Sequence, residues 1–284
     1  MEQIKKVSHR EHILVRPDSY VGSTALTKDI HWIIENGTFK KQTLEISPAL
    51  MKIFDEILVN AIDRNSVFPK EVKMISVSMT ENGSITVENT GPLGGISVEM
   101  HPTEKVWNPE LTFGHLLTST NYDDSKDRIV GGRNGYGAKL ANVYSSRFEI
   151  TIKDGANKKQ YNQTWVDNMS ACHPPIITSY GRVTNSVSIT FLPDWKRFGM
   201  TGPTNDLLKI IEKRVWDAAF FTKGCKVSWQ GGALPNLTTA SYFKMYCENE
   251  CIVINSDRWQ VAMAVSNDGF QQISLVNGIC TTKG

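Results

Sequence analysis

The stretch from Lys52 to Asp63, KIFDEILVNAID, constrains the chain most, because a helix with this pattern can bury only one of its sides. At roughly 100° per residue, Leu50, Ile53, Phe54, Ile57, Leu58, Ala61 and Ile62 share one broad face. Lys52, Glu56, Asn60 and Asp63 stack along the opposite one. The apolar side must meet a second layer of structure. On the other side a carboxylate is followed one turn later by a carboxamide. Both offer oxygen, so the pair can orient a water and complete the shell of a hard divalent cation. A solvated face is the plainer account of a polar stripe, and the rest of the chain has to separate the two readings.

Beyond this helix the hydrophobic period changes from helical to alternating. Met74 to Met79 and Ser84 to Asn89 alternate around Glu81-Asn82-Gly83, a hairpin signal. Phe148 to Ile152 and Gln160 to Val166 flank Asp154-Gly155, and Val187 to Leu192 adds another strand. Thr204 stands where it can cap an apolar helix, Leu207 to Phe221, ahead of a strand at Lys226 to Trp229. Helices on one side of a mostly antiparallel sheet make an α+β sandwich. The pattern shifts again at Ala233-Leu234-Pro235-Asn236, which places a domain boundary after residue 235 and divides the chain into 1–235 and 236–284.

Composition removes several classes of function. With 40% hydrophobic and 21% charged residues the 284-residue chain is ordinary globular material, and its net charge of +2 offers no polybasic surface for nucleic acid or membrane. Cys172, Cys225, Cys247, Cys251 and Cys280 are odd in number and lack CxxC spacing, so neither a disulfide framework nor a zinc site is expected. No apolar signal core opens the chain, and no apolar run approaches a membrane span. The expectation is a soluble intracellular protein without membrane contact.

Between Gly91 and Lys139 the sequence is rich in glycine and reads as one long irregular connection, the kind that usually forms a functional lid. It ends in Gly131-Gly132-Arg133-Asn134-Gly135-Tyr136-Gly137-Ala138-Lys139 and runs straight into an apolar-periodic helix. Glycines before a helix start can turn backbone N–H groups towards a phosphate. Neither GxxxxGK[ST] nor GxGxxG is present, so the cradle is of another kind. Upstream, Asn89 closes a strand and a glycine follows at 91; its carboxamide offers the donor and acceptor that an adenine edge needs, although an Asn turn explains it as well.

In this order the motifs resemble those of the GHKL (Bergerat-fold) ATPases, and specifically the ATPase region of eukaryotic-type type IIA DNA topoisomerases. The matching strings are EHILVRPDSYVGS at 11–23, KIFDEILVNAID at 52–63, LLTSTNYDD at 116–124, GGRNGYGAKLAN at 131–142, QTWVDNM at 163–169 and GFQQISLVNGICTTKG at 269–284. The resemblance implies a two-layer GHKL sandwich followed from 236 by the start of a transducer domain. It implies Glu56 as general base with Lys52 close to it, and Asn60 as the magnesium ligand. Asn89 corresponds to the adenine-reading position. Ser119, Thr120 and Asn121 correspond to ribose and phosphate contacts, and Gly132, Arg133, Asn134, Gly135, Tyr136, Gly137, Ala138 and Lys139 to the phosphate-binding loop.

ATP and Mg²⁺ are the implied cofactors. The implied function is an ATP-driven gate that closes as a homodimer and captures double-stranded DNA for passage through a break made by other domains. The implied compartment is the nucleus for a cellular enzyme, or the nucleus, a cytoplasmic factory or the virion for a viral one. Asn89-Thr90-Gly91-Pro92-Leu93-Gly94-Gly95-Ile96 is longer than the family's NxGxGI, and Ile4 replaces a tyrosine of animal homologues; both departures suit a divergent, viral member. A GHKL chaperone or mismatch-repair ATPase would lack NYDD and GGRNGYGAK. A non-hydrolysing ATP-gated clamp would have no need of Glu56.

Overall fold

The computed structural model describes residues 6–92, 95–118, 135–256, 258–266 and 269–281. Along the chain, a short helix α1 (His9–Val15) leads to the hairpin β1 (Thr27–Glu35) and β2 (Thr38–Ile46), then to the long helix α2 (Pro48–Val67). Strands β3 (Met74–Met79) and β4 (Ile85–Gly91) follow, then helices α3 (Asn108–Gly114) and α4 (Gly137–Val143). Next come β5 (Ser145–Asp154), β6 (Lys159–Val166), β7 (Ala171–Cys172), β8 (Ile176–Ser179) and β9 (Asn185–Pro193). Helix α5 (Asn205–Phe221) precedes β10 (Lys226–Trp229) and β11 (Gly232–Ala233). The last elements are α6 (Thr239–Lys244), β12 (Ile252–Asn255), β13 (Gln260–Met263), β14 (Leu275–Val276) and β15 (Ile279–Cys280).

The main sheet runs β11-β10-β3-β4-β9-β5-β6-β7, with β8 also on β6. Only β10 against β3 is parallel among its described pairings. Alternate residues of the central strands, among them Ile75, Val77, Ile85, Val87, Phe148, Ile150, Ile152 and Phe191, are buried on one face. Helices α2 and α5 lie in the same core and present Ile53, Phe54, Ile57, Leu58 and Ile62, and Leu207, Ile211, Val215 and Ala218. Each Ile, Leu, Val or Phe side chain among them, fully withdrawn from water, stabilises the packing by about 1.5–3 kcal/mol. This is the α+β sandwich that the alternation predicted.

Helix α2 starts where Ser47 accepts a hydrogen bond from the Leu50 N–H, with Pro48 in the first turn, and it ends at Phe68. Its polar stripe is shorter than the sequence suggested. Lys52 and Asn60 are exposed and Glu56 half-buried, but Asp63 is only 9% exposed, because the helix end sinks between its neighbours. Within the connection from 91 to 139, the described residues 95–118 carry regular structure that the glycine content did not indicate. Met100 bridges Trp107, and α3 begins just after it with Pro109 in its first turn.

Thr204 caps α5 as expected, accepting from the Leu207 N–H at 3.2 Å. The final segments pack on the other end of this helix. A second apolar cluster joins Phe39 of β2 to Tyr242 and Met245, with Trp32, Trp216, Phe220, Tyr246 and Leu275 around it. Phe220 stacks on Tyr242 at 4.1 Å between ring centroids, and the Phe39 N–H donates to the Met245 carbonyl at 2.6 Å. Among the described residues, no helix is long and apolar enough to cross a membrane.

Candidate active site

Glu56 projects from the exposed stripe of α2. Its carboxylate meets the Lys52 ammonium one turn earlier at 2.5 Å, with the Glu56 side chain 21% exposed and that of Lys52 48%. The lysine is thus solvated and free to turn aside, whereas the carboxylate sits at the edge of the core. Asn60, one turn further, is exposed and keeps its side-chain oxygen available to an incoming group.

Helix α4 packs directly on α2. The contact is so close at its start that a Cβ on Gly137 would collide with the Glu56 carboxylate at Oε2. Only glycine lets the end of the glycine-rich loop approach that oxygen. Helix α4 has seven residues, so its dipole is small, and the positive charge at this end of the cleft comes from Lys139. Lys139 is 4% exposed, and its Nζ donates to the carbonyls of Thr118 and Gly135 at 2.6 Å each. No carboxylate pairs with it among the described residues. Burial lowers its pKa to about 8. A buried ammonium whose described partners are two neutral carbonyls is suited to receive an anion.

The loop is braced from the amino-terminal side. Tyr136 sets its ring edge-on to His9 at 5.6 Å and to Tyr20 at 6.4 Å between centroids. Helix α1 is itself held by the Tyr144 hydroxyl donating to the Ile13 carbonyl at 2.7 Å. Ala138 is buried beneath the same turn.

Asn89 lies on β4, paired with Ile75 of β3 and Val187 of β9. It shares the face of Ile85 and Val87, which turns it towards the helical layer rather than into a solvent loop. A small cavity opens beside it, lined by Thr90, Gly91, Gly95 and Ser186. Asn89 is therefore inside a strand that runs on to Gly91, on the face of the sheet shared with buried Ile85 and Val87, and is not a turn residue. Of the predicted loop residues Gly137 meets Glu56, with Gly135, Tyr136, Ala138 and Lys139 beside it in the chain, whereas Ser119, Thr120, Asn121, Gly132, Arg133 and Asn134 lie outside the described residues.

The geometry has close counterparts. The chain superposes on the crystal structure of the ATPase region of Saccharomyces cerevisiae topoisomerase II with a TM-score of 0.93 and 41% identity, covering 98% of this chain and 75% of that one. The chain belongs to the topoisomerase II family. It also matches the ATPase and transducer domains of DNA topoisomerase II from Balamuthia mandrillaris, with a TM-score of 0.92 and 38% identity over 98% of this chain and 72% of that one. In sequence, DNA topoisomerase 2 of Candida glabrata is 41% identical over 307 residues, covering 100% of this chain and 22% of that protein. The chain thus spans about a fifth of the length of the curated relatives it matches. No family model matches it. The expected GHKL-type architecture of a topoisomerase II ATPase region is the one observed.

Sequence reasoning passed over one group that contacts this helix. Asp55, the neighbour of Glu56, accepts from Arg214 of α5 at 2.7 Å. The two lie far apart in the chain, and nothing local in the sequence announces their pairing.

Proposed function

We propose that this chain binds and hydrolyses ATP and, within a longer type II DNA topoisomerase, serves as the gate whose closure captures a DNA duplex. The observation that carries the reading is the junction of α2 and α4: a carboxylate, a glycine pressed against it, and a buried lysine that no carboxylate of the described residues pairs with. Phosphoryl transfer needs little covalent help from a protein. It needs a positioned water, neutralised charge and an excluded solvent.

In this reading Glu56 accepts the proton of the water that attacks the terminal phosphate. Lys52 sets the direction of that carboxylate and turns away as the water enters. Lys139, with the backbone donors of Gly135, Tyr136, Gly137 and Ala138, receives the phosphates. Gly132, Arg133 and Asn134 complete the loop, and Ser119, Thr120 and Asn121 contact the ribose and phosphates. Asn89 reads the adenine edge from the sheet.

Asn60 would hold magnesium. Asn60 offers a single exposed side-chain oxygen one turn beyond Glu56, which fits such an ion. Mg²⁺ keeps several waters and takes most of its other ligands from phosphate, so one protein oxygen suffices. When bound it neutralises phosphate charge.

We further assign residues 1–235 to the ATPase domain and 236–284 to the beginning of the transducer, with the nucleus, or a viral factory or virion, as the place of action. Ordering the glycine loop around a terminal phosphate favours one conformation of the cleft and hence one state of assembly. The chain should therefore dimerise with a non-hydrolysable ATP analogue and not with ADP. Light scattering at matched protein concentrations measures this directly. Equal masses with the two nucleotides would contradict the gate.

A further inference from the structure

A buried ionic cluster lies on α5, away from the nucleotide cleft. Lys213, Arg214 and Asp217 are 5%, 7% and 0% exposed, and none of them is among the residues assigned above to the nucleotide. Arg214 is the hub. Its Nε donates to Asp55 at 2.7 Å, its Nη1 to Asp217 at 2.9 Å, and its Nη2 to the Gly278 carbonyl at 3.1 Å. Lys213 reaches the same Asp217 oxygen at 2.9 Å, and the Tyr242 hydroxyl donates to the other at 2.6 Å. Two cations thus face two carboxylates and the cluster is neutral. Burial alone would lower the Arg214 pKa, but Asp55 and Asp217 outweigh it and raise the value, so the guanidinium stays charged.

The three acceptors come from three elements. Asp55 immediately precedes Glu56; one step round the helix turns the first towards α5 and leaves the second facing α4. Gly278 belongs to the two-residue turn between β14 and β15, where Asn277 and Gly278 have φ of 50° and 77°. That turn rests on the catalytic helix itself, since a Cβ on Gly278 would lie 3.0 Å from Ile62 Cγ2 and 3.4 Å from Phe221.

We infer that Arg214 is a positioning residue that locks α2 to the Asn277–Gly278 turn, so that displacement of this turn is transmitted through Asp55 to Glu56. This rests on the reading of Glu56 as the base. A planar guanidinium has its donors in a fixed fork. If the turn moves alone, the guanidinium keeps its carboxylates but loses the Gly278 carbonyl, and leaving that buried N–H unsatisfied is costly enough that the elements move together instead.

The test compares Arg214→Lys, Asp55→Asn and the double variant of this chain in steady-state ATP hydrolysis, with Glu56→Gln alongside. Each single variant should lower kcat on the order of tenfold, the scale of a small misplacement of a reacting group. KM for ATP should stay within about twofold, because the groups that hold the nucleotide are untouched. The double variant should be no slower than the slower single one, since both break the same link. A wild-type kcat in both single variants, with only a lower melting temperature, overturns the inference while Glu56→Gln is inactive. Wild-type turnover by Glu56→Gln defeats the underlying reading instead. Asp55 is partly exposed at 26% of its side chain, so Asp55→Asn carries the comparison if Arg214→Lys does not fold.

Discussion

Glu56→Gln should bind ATP as the unaltered chain does and hydrolyse it more slowly on the order of a hundredfold or more, the usual consequence of removing a general base. Glutamine keeps the shape of the side chain and a hydrogen-bonding oxygen, so the helix packing and the approach of Gly137 survive. What is lost is the ability to take a proton. The Lys52 ion pair is lost as well, but Lys52 is half exposed and such pairs contribute little to stability. Single-turnover hydrolysis alongside equilibrium binding separates the two effects. Near-normal turnover with normal binding would remove Glu56 from the mechanism and favour a clamp that uses ATP only to close.

Gly137→Val should be as damaging by a different route. A side chain at 137 occupies the place of the Glu56 carboxylate. Either the carboxylate turns away or α4 withdraws, and withdrawal also carries off Lys139 and the loop donors. Both hydrolysis and triphosphate binding should fall at least on the order of a hundredfold, the scale expected when a reacting group is misplaced. The sheet core lies beyond this contact, so the circular dichroism of the variant should match that of the parent. A variant that binds and hydrolyses ATP normally would mean that the α2–α4 contact is not where the chemistry occurs.

Much of this was legible in the chain because the informative signals are local. The 3.6-residue period at Lys52–Asp63 marked α2, and alternation marked the strands at Met74–Met79, Phe148–Ile152 and Val187–Leu192, all of which lie inside observed elements. Glu56 was separable from the core because it stands off the apolar face. Asp63 stands off that face too, yet it is buried, because burial at a helix end depends on what crosses it. The β1–β2 hairpin went unread despite its Asn36-Gly37 turn, since Trp32, Ile33 and Ile34 follow one another in β1 without alternating and the middle of β2, Lys40 to Thr43, is polar throughout. Lys139 was placed in the loop by motif, but its burial against two carbonyls follows from tertiary packing. The Asp55–Arg214–Gly278 link joins positions with no common local pattern.

If Lys139 and Glu56 enclose the terminal phosphate of ATP, nucleotide binding must change the proton balance of the site. In the free chain the Lys139 pKa of about 8 lies below the ordinary lysine value of 10.5, so the unfolded state binds more protons between those limits and stability rises with pH across them. A phosphate beside the ammonium reverses the shift. Near pH 9 the free lysine is mostly neutral and the complexed one charged, so binding must take up a proton. Calorimetric titration of a non-hydrolysable ATP analogue with magnesium, in buffers of different ionisation enthalpy, should show net uptake approaching one proton at that pH, absent in Lys139→Met. Binding without proton uptake, or with the same uptake in Lys139→Met, would place the triphosphate elsewhere and contradict the account.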